Sequence, residues 1–127
     1  MRTSTLLAIL FLVGVRFAHS QPYYFRHYQV ENGLSNNAVI CSAQDKKGFL
    51  WFGTKDGLDR FDGYSFKVFR HDAKQQGSIG SNFIHSLFVD KDDILWVGTE
   101  KGLYRYDATT ESFTLLATPF LEQVTDI

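Results

Sequence analysis

Hydrophobic residues occur in two distinct patterns along the chain. Residues 6–15 form an almost unbroken apolar run of ten, whereas the later part consists of short apolar or alternating segments separated by polar turns. Alternation is the two-residue period of a β-strand, and no segment after residue 20 has the period of an amphipathic helix. The pattern therefore predicts eight strands, at 39–44, 49–53, 58–61, 65–70, 84–89, 94–98, 103–106 and 112–117.

Turn signals separate the predicted strands. Gly57 and Gly102 stand in short polar hairpins, where a positive φ is needed. Asp45 and Asp90 stand where a carboxylate can accept hydrogen bonds from the backbone amides that follow it. We expect two antiparallel meanders of four strands each.

The two predicted meanders are copies of one repeat. Residues 45–62 align without a gap on residues 90–107, at a period of 45 residues, with ten identities. A period of this length indicates a solenoid or a propeller. The positions assigned to the structural repeat are Asp45, Trp51, Gly53, Thr54 and Gly57 in the first copy and Asp90, Trp96, Gly98, Thr99 and Gly102 in the second.

The second predicted strand of each copy is apolar on both faces. Residues 49–52 read Phe-Leu-Trp-Phe and residues 94–97 read Ile-Leu-Trp-Val. A strand of this kind lies between two sheets, as in the blade of a β-propeller. We therefore predict an all-β chain of two propeller blades in which Trp51 and Trp96 pack between blades. The alternative role for the two indoles is exposed stacking on sugars.

The first twenty residues are predicted to be a secretory signal peptide. Arg2 precedes the apolar run, and Ala18 and Ser20 are the small residues that a signal peptidase requires. An uncleaved membrane anchor is the alternative, although the run is about half of the ~20 residues that a membrane span needs.

We expect the remaining chain to divide into a leading strand and loop (21–38, the strand at 23–30), a first blade (39–83), a second blade (84–123) and the start of a third (124–127). The propeller would therefore be incomplete within this chain.

The charge balance changes which partners are expected. The chain has 13 Lys and Arg against 14 Asp and Glu, and loss of Arg2 and Arg16 leaves a mature formal charge of −3. The basic cluster that a nucleic-acid-binding surface requires is missing, so nucleic acid is not expected as a partner. Cys41 is the only cysteine, so no intrachain disulfide can form, and its strand context predicts an apolar role.

The sequence has no pattern that is typical of catalysis or metal binding. Asp90, Asp92 and Asp93 lack the further ligands of a calcium loop and indicate a solvated turn. The histidines at 27, 71 and 85 lack the spacing of a zinc site. We expect no catalytic residue, metal or cofactor.

A polar rim is the candidate binding site. In an antiparallel meander, the loop that enters a blade and the loop between its second and third strands emerge at the same end. The candidate ligand-binding residues there are Asn36, Asn37, Lys55, Asp56, Asn82, Glu100 and Lys101. Such a rim could bind a carbohydrate, or it could be ordinary solvated surface.

The repeat pattern resembles a known family. Asp-x-x-Gly-x-Leu-Trp-x-Gly-Thr-x-x-Gly-Leu-x-Arg-Tyr/Phe-Asp is similar to the two-component-regulator propeller repeat in the periplasmic sensor region of bacterial hybrid two-component histidine kinases. Residues 28–37 also resemble the start of that region, and the similarity covers about residues 23–127. Asp93 departs from the pattern, which prefers glycine there, but aspartate tolerates left-handed geometry better than most residues.

The resemblance implies a role in sensing glycans outside the inner membrane, in relatives that are anchored in that membrane, to control genes for polysaccharide use. We therefore expect a periplasmic, non-enzymatic sensor fragment without a kinase domain or a membrane span in the mature chain. Its expected partners are an oligosaccharide or other periplasmic ligand, and further propeller blades or a second sensor chain. The alternatives are a small secreted lectin whose two-blade chains form a closed ring, and a scaffold propeller of an export assembly.

Overall fold

The computed structural model describes residues 20–116, which form two antiparallel four-stranded sheets. Blade 1 contains β1 (Val39–Gln44), β2 (Leu50–Thr54), β3 (Gly57–Phe61) and β4 (Phe66–Phe69). Blade 2 contains β5 (Ile84–Val89), β6 (Leu95–Thr99), β7 (Gly102–Asp107) and β8 (Ser112–Leu115). A 3₁₀ turn, Val30–Asn32, lies just before blade 1. Within each sheet the strands lie in chain order, so the prediction of all-β meanders is confirmed.

The eight predicted blade strands agree with the observed ones to within one residue, except that β8 ends at Leu115 rather than at 117. The leading strand predicted at 23–30 is not formed among the described residues, where 20–29 are irregular and Val30–Asn32 is a 3₁₀ turn. The sequence did not reveal an irregularity at the start of each first strand. The register of β1 on β2 shifts between Val39 and Cys41, and that of β5 on β6 shifts between Ile84 and Ser86. This bulge lies at the same repeat position in both blades, and it re-aims the side chains at the start of each strand.

The hydrophobic core lies between the two sheets. We call the face of each blade that is turned towards the next blade along the chain its back face, and the opposite face its front face. Cross-strand partners share a face, so the register places Trp51, Gly53, Leu58 and Arg60 together on the back face of blade 1. The core consists of Trp51, Leu58, Ile79, Ile84, Leu95, Val97, Tyr104, Tyr106 and Phe113. The back face of blade 1 therefore covers the front face of blade 2.

Aromatic rings dominate this interface. The Trp51 side chain is 1% exposed, and its ring centroid lies 4.9 Å from that of Tyr106 and 5.8 Å from that of Phe69. Phe69 in turn lies 5.6 Å from Phe113. The predicted position of Trp51 between two blades is confirmed. Trp96 is only half-buried, because none of the described strands covers the back face of blade 2.

Close approach of the two sheets depends on a glycine in β2. A Cβ atom at Gly53 would lie 2.6 Å from Cγ2 of Ile84 in β5 and would also overlap the Cys41 thiol. Cys41 is half-buried in β1 beside the core, and this burial raises the pKa of its thiol. The thiol therefore packs as an apolar group.

The expectations for the two ends of the chain have different outcomes. Residues 20–29 are described but form no regular secondary structure and pair with no strand within residues 20–116. The expected cleavage site follows Ser20, so nearly all of the predicted signal peptide lies outside the described residues. The predicted start of a third blade, 124–127, also lies outside them.

The unequal burial of the two indoles generates the first prediction. Trp51→Ala should destabilise residues 21–127 by about 3 to 5 kcal/mol, because it empties a buried aromatic site between the sheets. Trp96→Ala should cost no more than about half as much, because its ring still contacts solvent. Denaturant melts of the two variants and of the parent chain would measure the difference, and equal losses would contradict the observed asymmetry.

Candidate functional site

An aspartate and the tryptophan six residues later are joined by a hydrogen bond in each blade. The indole Nε1 of Trp51 donates to Oδ2 of Asp45 at 3.0 Å, and that of Trp96 donates to Oδ2 of Asp90 at 2.9 Å. The other carboxylate oxygen accepts the backbone N–H of Phe49 in blade 1 and of Ile94 in blade 2. One aspartate thus closes the turn and orients the indole, and the bond from Trp96, followed by that from Ile94, lowers the pKa of Asp90.

The threonine and the glycine of the repeat form the hairpin at the opposite end of the sheet. Thr54 donates its hydroxyl to the carbonyl of Gly57 at 3.0 Å, and Thr99 does the same to Gly102 at 3.0 Å. Gly57 and Gly102 have φ angles of 152° and 130°, which side chains rarely adopt. The predicted need for glycine at these positions is confirmed.

The position where the repeat pattern prefers glycine is also explained. Gly48 has a φ of 92° and Asp93 has a φ of 61°, so Asp93 adopts the left-handed geometry expected of it. Its carboxylate accepts the backbone N–H of Lys46 at 2.8 Å, and the Lys46 ammonium donates to the carbonyl of Lys91 at 2.6 Å. The turns 45–48 and 90–93 therefore contact each other between the blades.

The structure brings the predicted rim residues to one end of the molecule. We call this the hairpin end, because it carries the hairpins 54–57 and 99–102, and we call the opposite end, with the turns 45–48 and 90–93, the turn end. Asn36 and Asn37 precede β1 at the hairpin end, and Asn82 precedes β5 there. The side chains of Lys55, Glu100 and Lys101 form no hydrogen bond or ion pair with the described residues.

Several rim residues already hold the loops in place. The Oδ1 atoms of Asn36, Asn37 and Asn82 accept backbone N–H groups of Ala38, Val30 and His71 at 2.8, 2.8 and 2.6 Å. An asparagine that accepts through its oxygen keeps two N–H donors for another partner. Asp56 is less available to a ligand, because its carboxylate pairs with the Arg70 guanidinium at 3.3 Å and its backbone carbonyl accepts a hydrogen bond from Arg70 Nε.

Sequence reasoning missed a buried polar network beneath the rim. Ser35 donates its backbone N–H to Asp59 at 3.0 Å and its hydroxyl to the same carboxylate at 2.6 Å. The Ser35 hydroxyl also lies 2.6 Å from that of Thr54, and Asp59 and Thr54 are fully buried. The network fastens the loop that carries Asn36 and Asn37 to the front face of blade 1.

Blade 2 has different residue types at the positions of Ser35 and Asp59. Gly80 and Tyr104 stand at the repeat positions of Ser35 and Asp59, and a Cβ atom at Gly80 would overlap the Tyr104 hydroxyl. A small residue therefore faces a large one in blade 2, where blade 1 has a hydrogen-bonded pair. The two repeats differ at these positions, with Ser35 against Gly80 and Asp59 against Tyr104. This paired difference was the sequence signal that could have indicated the network.

A second feature lies at the turn end. A cleft of about 490 Å³ separates the blades there, and Phe49, Trp51, Arg60, Tyr106 and Glu111 contribute to its walls. The Arg60 guanidinium lies over the Phe49 ring at 4.9 Å and donates to the Tyr106 hydroxyl at 3.2 Å and to Glu111 at 3.4 Å. Arg60 thus stabilises the contact between the blades, and none of the predicted rim residues lies in this cleft.

The described residues contain no group of three or more His, Cys, Asp or Glu side chains that could hold a metal ion. No helix within residues 20–116 has the length and apolar character needed to cross a bilayer.

The repeats match a protein-family model. The model described as the two-component regulator propeller matches residues 33–56 and 78–101, one segment in each repeat. The two blades are two-component-regulator propeller repeats. Each matched segment starts just before a buried anchor, Leu34 or Ile79, and ends in the hairpin that the repeat threonine stabilises.

The chain is similar to solved structures of extracellular domains. The extracellular domain of the hybrid two-component system BT3049 from B. thetaiotaomicron is 35% identical, with a TM-score of 0.67 over 78% of this chain and 14% of that one. That of the one-component system BT4673 from the same organism is 27% identical, with a TM-score of 0.61 over 76% and 14%.

A curated relative, histidine kinase P4 of Formosa agariphila, is 42% identical over 62 residues, which are 49% of this chain and 4% of that protein. The chain therefore spans only a small part of each of these relatives.

The difference between the blades generates a prediction about Gly80 and Tyr104. Gly80→Ser should destabilise the chain through overlap with Tyr104, and Tyr104→Asp should destabilise it by burying a carboxylate without a serine partner. Together they recreate the network of blade 1, because Thr99 matches Thr54. We expect a favourable coupling of about 0.5 to 3 kcal/mol in a double-mutant cycle. Additive losses would show that the two positions are independent.

The buried carboxylate generates a prediction about pH. Burial raises the pKa of Asp59, and the bonds from Ser35 only partly offset it. The native state then keeps a proton that the unfolded chain has released, so the free energy of unfolding should fall as pH rises from about 4, the ordinary carboxyl value, through the raised pKa. Asp59→Asn should remove this fall, because its amide can keep both bonds to Ser35.

Denaturant melts between about pH 2.5 and 7 would compare the parent chain with Asp59→Asn, because stability from a carboxylate with a lowered pKa is lost below about pH 4. The contrasting variant is Asp62→Asn, because backbone bonds from Ser65 and Tyr64 lower the pKa of Asp62. Asp62 therefore contributes stability that is lost as pH falls, which is the opposite sign. The same pH profile in the parent chain and in Asp59→Asn would show that Asp59 is not the responsible group.

Proposed function

We propose that this chain is part of the ligand-sensing region of a hybrid two-component sensor that regulates genes for polysaccharide use, and that it acts outside the inner membrane. The observation that carries the proposal is the match, over 78% of the chain, to an extracellular domain of a hybrid two-component system. The described residues contribute binding surface and propeller packing. Signal transmission is left to other domains of the sensor.

The proposed ligand is an oligosaccharide that binds at the hairpin end. The exposed side chains of Lys55, Glu100 and Lys101, and the N–H donors of Asn37 and Asn82, offer the mixture of donors and acceptors that sugar hydroxyl groups require. Loops on a rigid sheet scaffold commonly carry binding residues.

Two neighbouring aromatic rings also support a ligand site at the hairpin end. Phe83 and His85 stand at the start of β5, with ring centroids 4.6 Å apart, and His85 is exposed. The bulge that follows Ile84 re-aims the His85 side chain. Because β5 packs against β1 of the neighbouring blade, the ring pair lies beside the first strand of each blade, where a ligand can contact both blades.

Removal of residues 1–20 after export is part of this proposal. It rests on the apolar run 6–15 and on the small residues Ala18 and Ser20. Mass spectrometry of the exported protein should show a chain that starts at Gln21. A chain that retains Met1 in the membrane fraction would instead support the anchor.

Binding experiments on the rim lysines test the proposed ligand site. The probe is an array of plant and algal oligosaccharides, followed by calorimetry for each sugar that binds residues 21–127. The double variant Lys55→Ala with Lys101→Ala should weaken binding at least about tenfold, because charged hydrogen bonds each contribute about 1.5 to 3 kcal/mol. Both side chains are exposed, so stability should change by no more than about 0.5 kcal/mol.

The matched control is Lys91→Ala, an exposed lysine at the turn end whose contact with Lys46 uses only its backbone carbonyl. This variant should bind as the parent chain does. If Lys91→Ala weakened binding and the rim variant did not, the site would be at the turn end. If no sugar on the array bound the chain, the glycan part of the proposal would be wrong.

A further inference from the structure

The bulge at the start of each first strand leaves one residue without a partner in the neighbouring strand. In β1 this residue is Ile40, and in β5 it is His85, which stands 45 residues later. Bulges are common next to active sites, where they re-aim a side chain. Both blades carry the bulge, but the residue types at this position differ.

The side chains around the bulge stay exposed even where a second blade covers the sheet. Blade 2 packs against the back face of blade 1, yet Ile40 is 41% exposed and Ala38 is exposed as well. Phe83 and His85 stand at the same repeat positions in blade 2. A further blade that packed on blade 2 in the same way would therefore leave both rings accessible. In this respect they differ from Trp51, which the next blade buries.

In blade 2 these positions carry two rings that contact each other, and we call Phe83 and His85 the ring platform. Their centroids lie 4.6 Å apart, with an angle of 45° between the ring planes. The hydroxyl of Ser81 accepts the backbone N–H of Phe83 at 3.2 Å, which helps to hold the segment before β5 in place. In blade 1 the same positions carry Ala38 and Ile40, which are apolar but not aromatic.

Polar groups lie next to the ring platform. Asn82 precedes Phe83, and its oxygen accepts a backbone N–H at 2.6 Å, which leaves two N–H donors for a ligand. The strands β5 and β6 are paired up to Ile84 and Thr99, so the residues beyond this pair, Phe83 and Glu100, meet at the hairpin end. The Glu100 carboxylate can accept hydrogen bonds from two hydroxyl groups.

This combination fits the chemistry of a neutral pyranose ring. The C–H groups on the face of a sugar carry a partial positive charge, and the face of an aromatic ring is negative. Hydroxyl groups at the edge of the sugar can then bind the Asn82 amide and the Glu100 carboxylate. A uronate would place a second carboxylate near Glu100, and like charges at short distance oppose binding. Lys101 only balances the charge of Glu100, so this hairpin has no net positive charge to attract an acid.

From these observations we propose that the ring platform stacks against a neutral pyranose residue of the ligand, and that the residue types at positions 83 and 85 determine which oligosaccharide the chain selects. The inference rests on the proposed function, because it names the class of sugar that binds at the hairpin end. The bulge keeps the backbone geometry the same in both blades, and the side chains beside it select the ligand.

Calorimetry with defined sugars tests the class of ligand. The neutral probes are cellohexaose, xylohexaose and mannohexaose, and the acidic probes are the hexamers of galacturonate and of mannuronate. We expect at least one neutral hexamer to bind residues 21–127 at least about tenfold more tightly than either acidic hexamer. Tighter binding of an acidic hexamer would overturn the inference and leave the proposed function standing. If none of these hexamers bound, the inference would be wrong, whereas the proposed function would fail only if the wider array also contained no sugar that binds.

Variants of the ring platform test its role. Phe83→Ala with His85→Ile gives blade 2 the residue types that blade 1 carries at these positions, and it should weaken binding of the neutral hexamer at least about tenfold. The single variant His85→Gln changes an exposed side chain, so it should weaken binding by about threefold or more while the denaturant melt stays unchanged. This second variant keeps the test valid if the double variant folds poorly.

The matched control is Phe88→Ala, which removes another ring of β5 that is 63% exposed and is paired with Trp96, away from the hairpin end. It should bind the hexamer as the parent chain does. Equal affinities of the parent chain and both platform variants would overturn the inference, even if the rim lysine variant weakened binding. A loss of binding in Phe88→Ala as large as that in the platform variants would also overturn it.

Discussion

A four-stranded sheet with two apolar faces gains stability from each face that a neighbouring sheet covers. In this chain one such pairing is complete, where the back face of blade 1 meets the front face of blade 2 and buries Trp51 between Phe69 and Tyr106. Burial of large aromatic side chains is the main favourable term there, because a fully buried ring contributes about 1.5 to 3 kcal/mol and a typical neutral hydrogen bond about 0.5 to 1.5 kcal/mol. The positions of the loops at both ends follow from this pairing, because it holds the two meanders side by side.

The repeat residues act at the ends of the sheets and at the closest contact between them. The aspartates close the turns and orient the indoles, the threonines close the hairpins, and Gly53 lets β5 approach β2. These tasks depend on backbone geometry that is the same in every blade, so the same residue types recur. Side chains on the faces of the sheets differ more between the two blades, because only the combined volume and the hydrogen bonding of two facing groups must match. Two different pairs meet this requirement, Ser35 with Asp59 in blade 1 and Gly80 with Tyr104 in blade 2.

The division between scaffold and loops also bears on function. The proposed ligand site uses side chains that the fold does not need, such as Lys55 and Lys101, on hairpins that the hydrogen bonds of Thr54 and Thr99 close. The cleft at the turn end is different, because Arg60 and Glu111 are engaged with each other between the blades. Polar groups that already satisfy one another gain less from a ligand than groups that are free. For this reason we propose the hairpin end, and not the cleft, as the ligand-binding surface.

The sequence by itself determined the strands, the hairpins and the repeat, because these depend on periods of two and 45 residues and on local turn chemistry at positions such as Asp45 and Gly57. It also indicated that Trp51 lies between sheets. It could not show the bulges of β1 and β5, the burial of Asp59, or the contact of Tyr28 with Phe61 and Phe66. Those features arise between residues that are distant in the chain, and many pairs of side chains could satisfy the same pattern. Only the tertiary structure decided which pairs meet, since the packing of one sheet on the next selects the partners.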